Sequence, residues 1–168
     1  MFTETKSDNL KYYHSVDKNS FQSGMEFQDF VCTELAKQGI ILQNLSSKKY
    51  QFSVGENLQG FEIKLDRRFL ETKRLSIEIA EKSNRDVPVW TASGIYRVDN
   101  TWLYIQGNYE RLYIFPKNFL IKLHESKKYI EDESNGTIKK YYLPLDDADK
   151  YCAKRLDFDM QMLDNDKK

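Results

Sequence analysis

Four charged side chains with regular spacing could support hydrolytic chemistry in this chain. Glu62, Lys64 and Asp66 project from one face if their segment is an extended strand, and Glu78 lies in the next alternating segment. Grouped carboxylates are hard ligands that suit Mg²⁺ or Mn²⁺, and a nearby ammonium stabilises charge on a reacting phosphate. The pattern therefore favours metal-assisted phosphodiester hydrolysis. The same spacing is also expected if these residues form the exposed strand face of an interaction protein, with cross-strand ion pairs such as Glu62 with Lys82.

The segments Gly60–Asp66 and Leu75–Ile79 resemble the active-site hairpin of PD-(D/E)XK nucleases, a superfamily of restriction endonucleases, Holliday-junction resolvases and phage-borne nucleases. The resemblance covers roughly residues 23–125. It implies an α+β fold with a central mixed β-sheet flanked by helices, which is a restriction-endonuclease-like core. It also implies a metal-dependent endonuclease that hydrolyses DNA, with Mg²⁺ or Mn²⁺ as the cofactor.

The resemblance assigns a role to each residue of the hairpin. Asp66 and Glu78 are expected to hold the metal, together with the backbone carbonyl oxygen of Ile79. Glu62 joins through water or at a second metal position. Lys64 is not at the lysine position of the family, but the register described next makes it the expected catalytic cation beside these three carboxylates.

The sequence departs from the family motif at Ala80, where the family has a lysine. In an antiparallel hairpin that pairs Asp66 with Glu78, Lys64 lies opposite Ala80 and supplies the missing ammonium from the neighbouring strand. A rival register places Lys64 opposite Ser76. We prefer the first register because it accounts for the alanine. If neither register holds, the alternative is a catalytically inactive module of the same fold that binds DNA or serves a structural purpose.

An upstream helix is expected to supply one more metal ligand, since helices of this family often carry a glutamate soon after a glycine. Glu26 follows Gly24 and is the favoured ligand. Glu34 lies nearer the centre of the apolar face of the helix and is the second choice. The sequence leaves this choice open.

The charge of the chain constrains how it could bind DNA. Its 168 residues are enough for one domain with a real core, and 26 basic side chains balance 26 acidic ones. A neutral chain has no overall field that attracts nucleic acid, so binding must use a local patch. Three basic pairs flank the candidate site and could form such a patch: Lys48-Lys49, Arg67-Arg68 and Lys73-Arg74. Solvated loops would carry such pairs equally well.

Other site types and locations find little support in the sequence. Two cysteines and two histidines match no zinc-binding spacing. No apolar run approaches the roughly 20 residues that a membrane span needs, and the N-terminus lacks a signal-peptide core. We therefore expect a cytoplasmic, soluble protein with DNA as its partner and no membrane contact, and we leave a homodimer open.

Hydrophobic periodicity indicates one domain over residues 23–160, after a flexible arm at 1–22 and before a disordered tail at 161–168. The predicted helices cover residues 23–38, 116–125 and 146–160. The predicted strands cover residues 50–54, 61–66, 75–82, 89–96, 101–105, 112–115 and 138–143.

Overall fold

A computed structural model describes residues 18–45, 47–133 and 135–158 of the chain. The predicted N-terminal arm overlaps these ranges only at residues 18–22, which are helical, so the first helix begins earlier than its sequence pattern indicates. The predicted disordered tail lies outside the described residues.

Five α-helices, eight strands and one 3₁₀-helix form the described part of the chain. The helices are α1 (Lys18–Lys37), α2 (Lys48–Ser53), α3 (Phe69–Thr72), α4 (Lys117–Glu125) and α5 (Leu145–Tyr151). The strands are β1 (Phe61–Leu65), β2 (Arg74–Glu81), β3 (Thr91–Ala92), β4 (Leu103–Gly107), β5 (Arg111–Pro116), β6 (Glu131–Asp132), β7 (Ile138–Pro144) and β8 (Lys154–Asp157). The 3₁₀-helix spans Gly94–Tyr96.

The strands form two four-stranded sheets rather than the single central sheet that the sequence predicts. The first sheet has the order β1-β4-β5-β8 and is mixed, because β1 and β4 are parallel and the other neighbours are antiparallel. The second sheet has the order β3-β2-β7-β6 and is entirely antiparallel. The predicted α+β class is confirmed.

Helix α1 covers one face of the first sheet. Its side chains Phe27, Val31 and Leu35 recur every four residues, so they share one face of the helix, and all three are buried. They belong to one apolar cluster with Ile63 of β1 and Ile105 of β4. Because side chains alternate along a strand, this packing turns the even-numbered residues of β1 toward the opposite face of the sheet.

A second apolar cluster joins the other face of the first sheet to the second sheet. Tyr104 and Phe115 contribute from the first sheet, Ile77 and Tyr141 from the second, and Leu120 from α4. All five are almost completely buried. The polar side chains Glu62 and Lys64 therefore border a hydrophobic core.

The outer edge of β1 pairs with side chains instead of another strand. The amide of Asn57 accepts a hydrogen bond from the backbone N–H of Phe61 at 2.8 Å and donates one to its carbonyl at 2.6 Å. One step along the strand, a carboxylate oxygen of Glu56 accepts from the N–H of Ile63 at 3.3 Å. The loop before β1 thus satisfies the edge of the first sheet.

Three local predictions are wrong. Residues 50–54 lie mostly in helix α2 rather than in a strand, and residues 89–96 contain only the two-residue strand β3 and the 3₁₀-helix. The last helix ends at Tyr151 instead of continuing to residue 160, because the chain then pairs with β5 as strand β8. This helix begins at Leu145, after the N-cap residue Pro144.

Candidate functional site

The predicted hairpin of β1 and β2 does not form. Strand β1 pairs in parallel with β4, whereas β2 pairs with β7 and β3. Both registers proposed for Lys64 are therefore wrong, and Ala80 has Ala92 and Lys139 as its strand partners. Helix α3 carries the buried Phe69 into the core and leads the chain out of the first sheet.

The two segments nevertheless meet through side chains. One carboxylate oxygen of Asp66 accepts hydrogen bonds from the N–H of Ser76 and from the amide of Gln106, both at 3.0 Å. The same Gln106 amide nitrogen also donates to the carbonyl of Ser76 at 2.9 Å. Gln106 is buried, and its Oε1 has no hydrogen-bond partner within the described residues. These bonds hold the end of β1 against β2 of the second sheet.

A cleft of about 470 Å³ lies at this junction. Its walls include two carboxylates, Asp66 and Glu78, together with the neutral polar side chains of Ser76 and Gln106. The cationic side chains that line it are Lys64, Arg67, Arg68, Arg74 and Lys140. Five cations and two carboxylates give the lining a formal charge of +3. Three of the cations also have acidic partners outside the lining, so the attraction for an anionic ligand comes mainly from Arg67 and Arg74.

Glu62 and Lys64 form an ion pair at the base of this cleft. The two charged groups are 2.8 Å apart, and the side chains of Glu62 and Lys64 are 2% and 30% exposed. The Lys64 ammonium contacts Oε1 of Glu62, and no other donor within the described residues reaches that atom. Glu62 therefore supports Lys64 from below, whereas Lys64, Asp66 and Glu78 line the cleft itself.

Opposing effects set the proton affinity of Lys64. Burial lowers the pKa of its ammonium, but the negative charge of Glu62 raises it, with smaller contributions from Tyr104, Glu78 and Glu56. The net result is a pKa well above the ordinary value. The balance of these effects therefore favours the protonated, cationic form of Lys64.

The loop before the 3₁₀-helix fixes Glu78. The hydroxyl of Ser93 donates a short hydrogen bond to one carboxylate oxygen of Glu78, and the N–H of Ser93 donates to the carbonyl of Ile79 at 3.3 Å. The neighbouring Gly94 has φ +52°, and a Cβ atom built there would lie 2.2 Å from the carbonyl oxygen of Glu78. The carbonyl proposed as a metal ligand at Ile79 thus already accepts a hydrogen bond.

The two helical glutamates make contacts outside the cleft of Asp66 and Glu78. Glu26 lines a neighbouring depression of about 350 Å³ and accepts a hydrogen bond from Gln22. Glu34 forms an ion pair with Lys37 at 2.8 Å. Neither lines the cleft that contains Asp66 and Glu78, so the predicted helical ligand is not part of this cleft.

A half-buried carboxylate, Glu56, lies beside the ion pair. Burial raises the pKa of Glu56 to about 7, helped by the negative charge of Glu62, while Lys64, the N–H of Ile63 and Arg97 act in the opposite direction. Glu56 also accepts a long hydrogen bond, 3.4 Å, from Gln28 of α1. The site therefore includes a group that titrates near neutral pH.

Sequence reasoning missed four residues of the site. Gln106, Lys140 and Tyr142 line the cleft, and Ser93 binds Glu78. They come from β4, β7 and the loop before the 3₁₀-helix, far along the chain from β1 and β2. Lys140 and Tyr142 share one face of a predicted strand, which is a weak signal, and no local pattern indicates Gln106 or Ser93.

Within the described ranges, no three side chains of His, Cys, Asp or Glu are grouped so that they could hold a metal ion. Comparisons with protein-family models, curated proteins and solved structures found no match to this chain. No helix among the described residues has both the length and the apolar character that a membrane span requires.

Proposed function

We propose that this chain is a divalent-metal-dependent nuclease that hydrolyses DNA phosphodiester bonds, and that its fold is a divergent restriction-endonuclease-like core. One observation carries the proposal: Asp66, Glu78 and Lys64 line one cleft whose remaining charges are cationic. An acidic pair beside a fixed ammonium suits phosphoryl chemistry, and the cationic walls suit a polyanionic substrate.

The donor set fits Mg²⁺ or Mn²⁺ without a complete protein cage. Asp66 and Glu78 each use one oxygen in the hydrogen bonds described above, which leaves the second oxygen of each carboxylate for a cation. Mg²⁺ commonly binds one or two carboxylates and completes its coordination with water and substrate phosphate. When bound, such an ion would acidify water and offset charge on the leaving oxygen.

The side chains of the cleft have distinct tasks in this proposal. Gln106 and the N–H of Ser76 orient Asp66, and Ser93 orients Glu78. Lys64 stabilises the negative charge that develops on the phosphate, because its ammonium stays protonated throughout the working pH range. The arginines of the wall hold the flanking phosphates.

Isosteric variants test this assignment. We expect the wild-type protein to nick or cut DNA with Mg²⁺ or Mn²⁺ and to be silent in EDTA, and we expect Asp66→Asn and Glu78→Gln to abolish cleavage. Both variants keep the hydrogen-bonding shape of the carboxylate, so thermal denaturation should show folded proteins. Glu125→Gln, at an exposed acid of α4, is the control and should cut normally. Cleavage at the wild-type rate by either site variant would refute the metal assignment.

The second candidate is a DNA-binding or structural module without catalysis. It is favoured by the internal hydrogen bonds of Asp66 and Glu78, which give both carboxylates a structural purpose, and by the lack of a three-ligand group in the described ranges. Millimolar Mn²⁺ separates the two candidates. Ligand binding to the folded state stabilises it by RT ln(1 + [L]/Kd), so a metal enzyme should melt at higher temperature with Mn²⁺ and the silent module should not.

A further inference from the structure

The cationic wall of the cleft is unevenly neutralised. Arg68 forms an exposed ion pair with Glu71 at 3.0 Å, and Lys140 lies 3.8 Å from Asp132. Arg67 and Arg74 form no ion pair within the described residues. The strongest phosphate-binding positions are therefore the two ends of the connection between β1 and β2, where Arg67 and Arg74 stand on either side of helix α3.

Arg74 also forms one part of a stacked pair. Its guanidinium carbon lies 3.6 Å from the centroid of the Tyr142 ring, a strand partner of Ser76 in the cleft. The Tyr142 hydroxyl donates a short hydrogen bond to Asp132, which holds the ring in place. Because Arg74 is an exposed residue, the outer face of its guanidinium can receive a second planar group.

From this juxtaposition we propose that the cleft selects single-stranded DNA, with phosphates on Arg67 and Arg74 and an unpaired base stacked on the Arg74–Tyr142 pair. The proposal rests on the nuclease function and specifies its substrate. In a duplex each base is stacked between its neighbours, so only an unpaired or flipped base offers its face to a side chain. Single-strand binding sites combine a cationic groove with such a stacking platform.

The size of the cleft agrees with this substrate. Its volume of about 470 Å³ falls in the range of pockets that enclose a small ligand, roughly 300–1,000 Å³, and suits a nucleotide unit rather than a helix. Ile138 adds an apolar side chain to the same lining. The carboxylates Asp66 and Glu78 share that lining, so a strand held there passes the proposed reacting groups.

Binding in EDTA tests the proposal without any cleavage. The probe is a fluorescein-labelled oligothymidylate of about 12 nucleotides, within the usual range of single-strand site sizes, compared by anisotropy with a duplex of the same length. We expect the single strand to bind at least about tenfold more tightly, since stacking of one base is typically worth that factor or more. Equal or tighter binding of the duplex would overturn the proposal.

Matched substitutions separate the stack from the charge. Arg74→Lys keeps the charge but loses the planar guanidinium, and Tyr142→Leu removes the ring, so both should lose about tenfold in single-strand affinity. Tyr142→Phe keeps the ring but loses the hydrogen bond to Asp132, so it should lose less single-strand affinity than Tyr142→Leu. If Arg74→Lys and Tyr142→Leu both preferred single-stranded over duplex DNA as strongly as the wild type does, the stacking assignment would be refuted.

The salt dependence reports the phosphate contacts. Each phosphate contact with a single strand contributes about −0.7 to the slope of log K against log salt concentration, so Arg67→Ala should make the slope shallower by about 0.7. Lys122→Ala makes the same change in net charge at an exposed position of α4 and should leave the slope unchanged. Identical slopes for wild type and Arg67→Ala would contradict the placement of phosphate at Arg67.

These outcomes are distinct from failure of the nuclease proposal. A protein that prefers single strands in EDTA and never cuts DNA would overturn the catalytic assignment and support this binding mode. A protein that cuts DNA with Mg²⁺ yet binds duplex and single strand alike would overturn this inference alone.

Discussion

The ion pair of Glu62 and Lys64 makes a quantitative prediction about folding. Replacing Lys64 with methionine removes the ammonium that lies 2.8 Å from a carboxylate that is only 2% exposed. Breaking a buried pair from one side typically costs about 3–5 kcal/mol, because the remaining charge is left uncompensated. Since the Lys64 side chain is 30% exposed, water can partly replace it, and we expect the lower end, about 3 kcal/mol.

The double variant Glu62→Gln/Lys64→Met should recover most of this loss. It removes both charges and leaves the amide of glutamine beside the apolar methionine side chain, with little change in volume. Replacing a buried ion pair in this way often changes the free energy of unfolding very little. Urea denaturation of the wild type, both single variants and the double variant gives the coupling energy of the pair. A decrease of about 3 kcal/mol corresponds to a Tm lower by roughly 6–12 °C in a domain of this size.

Two results would refute this reasoning. The first is an unchanged urea midpoint for Lys64→Met, which would mean that Glu62 has another source of compensation. The second is a double variant no more stable than Lys64→Met. The cycle also separates folding from catalysis, because a double variant that folds well but does not cut DNA requires the Glu62–Lys64 pair in the chemistry itself.

Two further predictions concern Glu56 and Gly94. The pKa of Glu56 is about 7 in the folded protein against an ordinary 4.5. Its protonated carboxyl group therefore stabilises the folded state fully below about pH 4.5, and this stabilisation is lost as the pH rises through 7. Glu56→Gln should abolish this decrease in the free energy of unfolding, roughly 3 kcal/mol, when urea denaturation is measured between about pH 5 and pH 8. If the free energy of unfolding of the variant depended on pH as it does in the wild type, the burial argument would be contradicted. Gly94→Ala should destabilise the protein by more than about 1 kcal/mol and slow cleavage, since the left-handed backbone and the contact with the carbonyl of Glu78 both oppose a Cβ atom. Gly24→Ala, at a helical position with open space, should instead be neutral or stabilising in the same thermal melts, and equal effects of the two substitutions would exclude a local cause at Gly94.

The elements with long, regular patterns could be predicted from the sequence. Helix α1 shows its apolar face at Phe27, Val31 and Leu35, and β1 alternates strictly between apolar and charged residues. Residues 50–54 alternate in the same way but form a helix, because five residues are too few to distinguish a strand from a short helical segment. Periodicity thus identified the elements that are longest or most regular.

Pairing between elements could not be predicted from local pattern. Alternation in β1 and β2 specifies which side chains share a face, but it does not specify which strands become neighbours. The burial of Phe69 and the pairing of β2 with β7 separate β1 from β2. The hydrogen bond from Ser76 to Asp66 and those of the distant Gln106 join them again. The candidate site therefore depends on contacts between residues that are far apart in the chain.

The side-chain pairing at the outer edge of β1 also affects how two copies could associate. Asn57 binds both backbone groups of Phe61 and Glu56 binds the N–H of Ile63, so these groups are already occupied and cannot pair with a strand from another molecule. A homodimer formed by extending the first sheet would therefore use the opposite edge, at β8, more readily. That strand is four residues long and carries Lys154, Arg155 and Asp157, so two such edges would meet with charged side chains on both sides.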